Sequence, residues 1–251
     1  MQKRQAPAIK FADVTLGYDG HPAVHHLRGE MASGSMTAVV GPNGSGKSTL
    51  IKGIVGLLHP IDGHIDIEGL DRSQISYLPQ QANIDRSFPI SVIEMVSLGL
   101  WPQRGMFASI TAADRDRVAD AIATVGLTGF EARTLDTLSG GQLQRVLFAR
   151  VLVQDSSLIL LDEPFTAIDT STANHLMDLI ERWHDEDRTV VAVLHDLDLA
   201  RERFPQTLLM AREPIAWGPS KEVLTPANLL RLRSMSESWD DTAPWCERAA
   251  G

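Results

Sequence analysis

An eight-residue stretch, residues 41–48, constrains the fold of this chain more than any other feature of the sequence. It reads GPNGSGKS, which fits the pattern G-x-x-x-x-G-K-[ST], and it lies between the apolar run Met36–Val40 and a helical pattern at 49–58. Glycines in such a loop let its N–H groups turn inward around phosphates, and the dipole of the following helix favours the same anions. Lys47 can reach the β- and γ-phosphates of a nucleotide, and the Ser48 hydroxyl can ligate Mg²⁺. The pattern predicts a phosphate-binding loop between a buried strand and a helix.

Two carboxylates end a second apolar run, residues 158–164, which reads LILLDEP. A nucleotide site needs a carboxylate at a strand end to hold the shell of Mg²⁺, and Asp162 would supply it. Glu163 is then placed to polarise the attacking water as a general base. Taken alone, an acidic pair at a strand end is most often a helix cap or a solvated turn. The phosphate-binding loop in the same chain favours the catalytic interpretation.

A third motif, LSGGQ at residues 138–142, precedes a predicted helix. Ser139 and the glycine amides at a helix N-terminus make a second anion site, although the motif alone would indicate only a capped helix. Together, and in this order, LSGGQ, the loop at 41–48 and the carboxylates at 158–164 give the chain its resemblance to the ABC ATPase family. The resemblance extends from about residue 9 to residue 233.

The resemblance implies roles for four further residues. Tyr18 matches the aromatic residue that stacks on adenine, and Gln80 matches the glutamine that touches Mg²⁺ and water and senses the membrane partner. Asp169 matches an acidic residue at the dimer seam, and His195 matches the switch histidine that contacts the γ-phosphate. Without the family, Tyr18 would be a half-exposed aromatic residue at a strand end, and His195 would be either a polar cap or an active-site residue.

These motifs and the resemblance together define the candidate site. The candidate nucleotide-binding residues are Tyr18, Gly41, Pro42, Asn43, Gly44, Ser45, Gly46, Lys47, Ser48, Thr49, Ser139, Gly140, Gly141, Gln142 and Asp169. The candidate catalytic residues are Lys47, Gln80, Glu163 and His195. The candidate Mg²⁺ ligands are Ser48, Gln80 and Asp162. The expected cofactors are therefore ATP and Mg²⁺.

Alternating patterns along the chain predict an α/β fold with a mostly parallel sheet, because short apolar strands alternate with helices. Strands are predicted at 11–16, 36–40, 64–67, 75–78, 158–161 and 189–194. The family resemblance implies more: a P-loop NTPase (RecA-like) core, an N-terminal antiparallel β subdomain and a helical subdomain.

The helical subdomain is expected at about 85–140, inserted into a nucleotide-binding domain that spans 1–233. Ser91 with Glu94, and Thr111 with Asp114, have the spacing of capping boxes at helix starts. The segment 234–251 shows little periodicity, so we expect a poorly ordered tail.

Composition bears on the partners of this chain. The net charge of −9 argues against nucleic acid as the main partner, because binding to a phosphate backbone usually requires a basic surface. The one cysteine, Cys246, allows no internal disulfide, and the first residues contain no apolar stretch of a secretory signal. No apolar run approaches the ~20 residues of a spanning helix, so membrane association would require a separate protein.

The family resemblance implies that protein and a second partner. Two copies of the chain would pair head to tail, with each ATP between the phosphate loop of one copy and the LSGGQ of the other. A polytopic permease would bind the pair at the cytoplasmic face of the cell membrane.

The stretch 81–101 points to a cargo. It resembles the pattern F-P-x-[ST]-V-x-x-x-V-x-x-G of bacterial importers for zinc, manganese or iron, and the matching residues are Phe88, Pro89, Ser91, Val92, Val96 and Gly99. We therefore expect uptake of a metal ion, zinc or manganese first, delivered by a metal-binding protein. Importers of iron-siderophores and cobalamin share part of the pattern and remain an alternative.

Other interpretations have less support. An exporter subunit would not be expected to carry this pattern, and non-transport ABC ATPases carry a coiled-coil insertion or two tandem cassettes, which the sequence lacks. His21, His25 and His26 are interpreted as surface histidines, because no cysteine or paired carboxylate lies near them in sequence. His175 and His184 are nine residues apart, which places them on opposite faces of one helix.

Overall fold

A computed structural model describes residues 6–81, 84–104 and 109–237 of the chain. Within these ranges the strands are β1 (Ile9–Tyr18), β2 (His21–Met31), β3 (Met36–Val40), β4 (Asp62–Ile67), β5 (Ser76–Leu78), β6 (Leu158–Asp162), β7 (Thr189–Leu194), β8 (Gln206–Ala211) and β9 (Glu213–Pro219). The helices are α1 (Lys47–Val55), α2 (Val92–Ser97), α3 (Trp101–Arg104), α4 (Ala112–Thr124), α5 (Gly140–Gln154), α6 (Thr170–Asp185), α7 (Leu197–Arg203), α8 (Ser220–Val223) and α9 (Pro226–Glu237). None of the helices in these ranges combines the length and apolar content needed to cross a membrane.

A six-stranded sheet with the order β5-β6-β7-β3-β8-β9 forms the centre of the molecule. The first five strands are parallel and β9 pairs antiparallel with β8. Every residue of β3, β6 and β7 is buried, as expected for parallel strands whose two faces are both covered by other elements. The carboxyl ends of these three strands therefore meet at one edge of the sheet, where the candidate site lies.

A second sheet is antiparallel, with the order β2-β1-β4. It packs against α1 so closely that a Cβ on Gly53 would lie 2.6 Å from Leu16 Cδ1. This contact brings the end of β1, with Tyr18, beside the helix that follows the phosphate loop. The α/β fold, with a mostly parallel main sheet and a separate antiparallel sheet, is the one expected from the sequence.

Helices α2 and α4 pack against α5, and their buried residues belong to one hydrophobic cluster with the main sheet. Both predicted capping boxes are confirmed. The Ser91 side chain accepts a hydrogen bond from the Glu94 N–H, and Thr111 accepts one from the Asp114 N–H. In each pair the acidic side chain bonds back to the N–H of the capping residue, so these helix starts are determined by local sequence.

Two helix boundaries differ from those expected. Helix α1 ends at Val55 because Gly56 adopts a left-handed conformation with φ of 88° and closes the helix through its N–H. Helix α9 continues past Ser234 to Glu237, and its residues Leu229, Leu232 and Met235 pack against the main hydrophobic cluster. The remainder of the predicted tail, including Cys246, lies outside the described residues.

The two sheets contact each other through the Trp217 ring, for which Gly29 leaves room. Gly29 in β2 has φ of +140°, and a Cβ there would lie 2.7 Å from the ring of Trp217 in β9. The same ring makes an edge-to-face contact with Phe11 of β1, at a centroid distance of 5.8 Å. The tryptophan therefore occupies the space that a side chain at residue 29 would need.

We predict that Gly29→Ala lowers the free energy of unfolding by about 1–3 kcal/mol, because the new methyl group displaces the Trp217 ring. The measurement is the thermal unfolding midpoint of the full chain. Gly69→Ala is the control, since Gly69 also has a positive φ, of +66°, but a Cβ there meets no atom within 4 Å. Equal losses in the two variants would contradict the prediction.

Candidate functional site

The phosphate-binding loop connects the end of β3 to the start of α1, as the sequence predicted. A Cβ on Gly41 would lie 2.1 Å from the Met210 carbonyl oxygen, and one on Gly46, with φ of +89°, would lie 2.2 Å from the Ala23 oxygen. The loop thus passes so close to neighbouring backbone that side chains are excluded at both positions. The backbone between β8 and β9 also contacts the loop, since the Arg212 N–H donates a hydrogen bond to the Ser45 carbonyl at 2.9 Å.

Lys47 folds back over this loop. Its Nζ donates to the carbonyl oxygens of Gly41 at 2.9 Å and Pro42 at 2.7 Å. Burial lowers the pKa of Lys47, and the negative charges of Glu163 and Asp162 oppose that shift. Among the described residues, the hydrogen bonds of the ammonium group go to neutral carbonyl groups of the loop itself, so an anion such as phosphate would be a stronger partner for it.

Asp162 ends β6 and is fully buried. Its Oδ1 accepts a hydrogen bond from the Ser48 hydroxyl at 2.9 Å, whereas Oδ2 has no hydrogen-bond partner among the described residues. Burial raises the pKa of Asp162, although the Ser48 bond works in the opposite direction. A carboxylate with a vacant oxygen beside a hydroxyl group is an oxygen donor set that suits a hard divalent cation.

Glu163 and His195 form a pair beside Asp162. Their strands β6 and β7 are neighbours, and the register pairs Asp162 with Val193. The His195 Nε2 lies 2.7 Å from the Glu163 Oε1, so the side chains that follow the two strands meet. Glu163 itself has φ of 52°, an uncommon left-handed conformation for a non-glycine residue.

The Glu163 carboxylate also accepts a hydrogen bond from the Thr166 hydroxyl, at 3.3 Å to Oε2, and the Gln80 side chain lies close enough to favour its charged form. Burial is the largest single influence and favours the neutral acid, but the His195, Gln80 and Thr166 interactions together outweigh it and lower the pKa of Glu163. The carboxylate is therefore ionised at neutral pH, as a group that accepts a proton must be. Thr166 was not predicted from the sequence.

Gln80 reaches this carboxylate because β5, two residues before it, runs parallel to β6. The next residue, Gln81, donates a hydrogen bond from its side-chain amide to the Gly140 carbonyl at the start of α5. Gln81 was also not predicted, and the only sequence signal for it is its position beside Gln80.

The LSGGQ motif forms a capped helix start. Ser139 caps α5, and its N–H donates to the Gln142 side chain at 2.9 Å while the Gln142 N–H donates to the Ser139 hydroxyl at 3.3 Å. A cavity of about 340 Å³ is lined by Ser139, Gly140, Gly141, Gln142, Arg145, Ala167, Ile168, Asp169 and Thr172. The structure thus brings the predicted LSGGQ residues together with Asp169, whereas the described residues 41–49 do not line this cavity.

Asp169 itself caps α6. Its carboxylate accepts hydrogen bonds from the Thr172 N–H at 3.0 Å and the Ser171 hydroxyl at 2.6 Å, and these bonds hold the pKa of Asp169 well below its usual range. The residue therefore has a structural role in this chain, whatever it contacts in an assembly.

Tyr18 ends β1 with 46% of its surface exposed. The Lys52 Nζ lies 3.4 Å from the Tyr18 hydroxyl and 5.8 Å from the ring centroid. Since Lys52 belongs to α1, the half-exposed ring is held beside the helix that begins at Lys47.

The histidines of β2 do not form a metal centre with their neighbours. Among the described residues, no group of three or more His, Cys, Asp or Glu side chains is placed to hold a metal ion. The His26 Nδ1 lies 3.2 Å from the Asp13 carboxylate, which also pairs with Arg28.

Comparison with known proteins identifies the family. The family model described as ABC transporter matches residues 24–166, which span the phosphate loop, the LSGGQ motif and the β6 carboxylates. The chain belongs to the ABC transporter family. It is an ATP-binding ATPase of that family, as the sequence predicted.

Relatives of this ABC ATPase include two ATP-binding proteins of manganese transport systems. The MntB protein of Listeria monocytogenes is 37% identical over 221 residues, which cover 86% of this chain and 92% of the relative. The MntB protein of Bacillus subtilis is 36% identical over 225 residues, which cover 88% of this chain and 90% of the relative.

Solved structures similar to this ABC ATPase agree with the fold. A structure described as a metal-chelate type ABC transporter in an inward-facing conformation matches with a TM-score of 0.78 and 28% identity, over 91% of this chain and 89% of that chain. A dimeric ATP-binding cassette in a post-hydrolysis state, bound to ADP and Pi, matches with a TM-score of 0.75 and 26% identity, over 84% of this chain and 98% of that chain. The predicted P-loop NTPase fold is confirmed.

The raised pKa of Asp162 makes a prediction about stability. The folded ATPase holds the Asp162 proton more tightly than the unfolded chain does. Protonated Asp162 therefore stabilises the folded state at pH values below the ordinary pKa of 3.8, and this stabilisation is lost as the pH rises through the raised pKa of the folded state. Asp162→Asn removes the buried charge. We expect its thermal midpoint without ligand to exceed that of wild type at pH 7.5, with a smaller difference at pH 4.

Asp169→Asn provides a control of opposite sign, because the cap hydrogen bonds lower the pKa of Asp169. That variant should be less stable than wild type at neutral pH, with a smaller difference in acid. A lower midpoint for Asp162→Asn than for wild type at pH 7.5 would contradict the prediction.

Proposed function

We propose that this chain binds ATP with Mg²⁺ and hydrolyses it to drive a separate permease that imports a metal ion, manganese first and zinc second. The observation that carries the proposal is the convergence of Lys47, Asp162, Glu163 and His195 at one edge of the main sheet. The membership of the ABC family and the manganese transport names of the relatives support it.

Binding of ATP would use the phosphate loop as an anion site. The loop N–H groups and the N-terminus of α1 would hold the phosphates, and Lys47 would exchange the Gly41 and Pro42 carbonyls for phosphate oxygens. Tyr18 would stack on the adenine ring. Mg²⁺, held by Ser48, Asp162 and Gln80, would neutralise charge on the phosphates when bound.

Hydrolysis would begin with Glu163. The ionised carboxylate would accept a proton from a water molecule as the water oxygen bonds to the γ-phosphorus and the bond to the β-phosphate oxygen breaks. His195 contacts this carboxylate and Gln80 lies beside it, so both would orient it toward the water and the γ-phosphate. Thr166 would hold the other carboxylate oxygen in place.

Completion of the site would require a second copy of the chain. The residues Ser139, Gly140 and Gly141 lie around a cavity that the phosphate loop does not line. A symmetric head-to-tail pair would place this second anion site of one copy against the ATP of the other, and would do so twice. The dimeric cassette among the similar structures supports this arrangement.

The membrane partner and cargo are inferred from the relatives and the sequence. A subunit of a transport system without a spanning helix in its described part would bind a permease, at the cytoplasmic face of the membrane. A metal-binding protein would deliver the ion to that permease, so the cargo would not contact this chain. The F-P-x-[ST]-V pattern and the manganese relatives favour a metal ion over siderophores or cobalamin.

We predict that Glu163→Gln binds ATP normally but loses at least about 100-fold in turnover, because the amide cannot accept the proton. With ATP and Mg²⁺ the variant should accumulate as a dimer. The measurements are phosphate release, equilibrium ATP binding and mass by light scattering. Glu222→Gln, at an exposed position of α8, is the control, and a Glu163→Gln protein with wild-type turnover would disprove the base assignment.

We predict that deletion of the gene abolishes high-affinity manganese uptake, measured with the radioactive ion in whole cells. The wild-type gene should restore uptake, and the Glu163→Gln gene should not, because transport depends on hydrolysis. Loss of zinc uptake alone would assign zinc as the cargo. Loss of siderophore or cobalamin uptake instead, or a rise in cell metal, would overturn metal import.

A further inference from the structure

Gln144 lies on α5, five residues beyond the capping residue Ser139, and its side chain is fully buried. Its Nε2 donates a hydrogen bond to the Pro164 carbonyl oxygen at 3.0 Å. Pro164 directly follows Glu163. A side chain from the LSGGQ helix therefore holds the backbone of the loop that carries the candidate base.

The loop needs such support because its backbone is unusual. Glu163 and Ala167 both adopt left-handed conformations, with φ of 52° and 61°. Residues in this region of conformational space persist only when their surroundings hold them there. Within the loop, the Thr166 N–H reaches the Glu163 carbonyl at a long 3.3 Å, so the bond from Gln144 is the shorter of the two.

Core stability does not explain a glutamine at this position. The Gln144 Oε1 is buried and accepts no hydrogen bond from the described residues, and an unsatisfied buried acceptor is unfavourable. If the side-chain amide were flipped, Oε1 would face the Pro164 carbonyl oxygen, and two acceptors cannot form a hydrogen bond. The Nε2 group is therefore the one that faces Pro164. A methionine would fill the same space without a vacant acceptor, and what the amide adds is the bond to Pro164.

The first turn of α5 touches the same loop a second time. A Cβ on Gly141 would lie 2.9 Å from the Ala167 carbonyl oxygen, so helix and loop are in direct backbone contact there. The helix therefore meets the loop at Pro164 and at Ala167, on either side of Thr166. A shift of α5 along its axis would be transmitted to the backbone next to Glu163.

We infer that Gln144 is a positioning residue, which fixes the Glu163 loop to the LSGGQ helix through the Pro164 carbonyl and so couples the general base to that helix. The inference rests on the proposed function for the role of Glu163. In the head-to-tail pair, helix α5 is expected to contact the ATP that is bound to the phosphate loop of the other copy. The inference adds that the same helix also determines the geometry of Glu163, the general base for the ATP bound to its own copy.

The test replaces Gln144 with methionine in the full chain. We expect kcat for ATP hydrolysis to fall about tenfold, because the base is misplaced, while KM and the equilibrium affinity for ATP stay within about twofold of wild type. A residue with only a structural role would lower the unfolding midpoint without this split between kcat and KM.

Gln154→Met is the matched control. Gln154 lies on the same helix, is also buried, and donates from its Nε2 to a backbone carbonyl, that of Ile75, at 2.8 Å. It should lose a similar amount of stability and keep the wild-type kcat. An equal fall of kcat in both variants would show that the effect comes from the helix in general and would overturn the role of Gln144.

Gln144→Glu provides a second variant of nearly the same shape. A protonated carboxyl can donate to the Pro164 oxygen, whereas a carboxylate cannot, and burial favours the protonated form. The ratio of its kcat to that of wild type at the same pH should therefore be several-fold higher at pH 6 than at pH 8.5. A ratio that does not change with pH would contradict the inference.

Different results would overturn the proposed function and the role of Gln144. Wild type that releases no phosphate from ATP would overturn the proposed function and the inference with it. Wild type that hydrolyses ATP and loses activity in Glu163→Gln, together with a Gln144→Met protein of wild-type kcat, would overturn the inference alone.

Discussion

The carboxyl ends of β3, β6 and β7 meet at one edge of the main sheet because the three strands are parallel and hydrogen-bonded side by side in the order β6-β7-β3. This arrangement brings together residues that are more than a hundred positions apart in sequence, such as Ser48 and Asp162. The 2.9 Å bond between those two residues, and the 2.7 Å contact of His195 with Glu163, both depend on the strand order. Ligand sites in open α/β sheets occur at this edge for the same reason.

The site is built at a cost in stability. Asp162 and Lys47 are buried with pKa values shifted toward their neutral forms, and one oxygen of Asp162 has no partner among the described residues. Glu163 is held in a left-handed conformation. Such features are rare where a chain serves only its own folding and are common at sites that await a charged ligand. Nucleotide and Mg²⁺ would supply the missing charges.

Helix α5 connects the separate parts of the molecule. Its first turn carries the LSGGQ residues, receives the Gln81 side chain and lies against Ala167, and Gln144 bonds to Pro164. Further along, the Arg150 guanidinium donates to the Tyr77 carbonyl at 2.5 Å, which fastens the helix to β5, the strand that leads to Gln80. This helix thus contacts the segment that carries Gln80 and the loop that carries Thr166, two of the segments that approach the Glu163 carboxylate. The physical link between the proposed second anion site and the base is this helix.

The sequence by itself determined the features that depend on neighbouring residues. The phosphate loop at 41–48, the caps at Ser91, Thr111 and Ser139, and the buried strand β7 follow from local spacing and side-chain chemistry, and the structure has them where they were predicted. The assignment of an ATPase family followed from three such motifs in order. The roles of the individual site residues remain predictions, although the structure places Lys47, Asp162, Glu163, His195 and Gln80 around one edge of the sheet.

Only the tertiary structure decided the contacts between distant elements. A glutamine such as Gln144 reads as an ordinary polar residue of a helix, and nothing in its neighbours indicates that it is buried against Pro164. Gln81 escaped prediction for the same reason, since its partner Gly140 is 59 residues away in sequence and only packing brings the two together. The continuation of α9 past Ser234 also depends on packing, since Leu229, Leu232 and Met235 lie against the main hydrophobic cluster. Side-chain spacing determines helices, caps and turns, whereas the order of strands in the sheet determines which of their side chains meet.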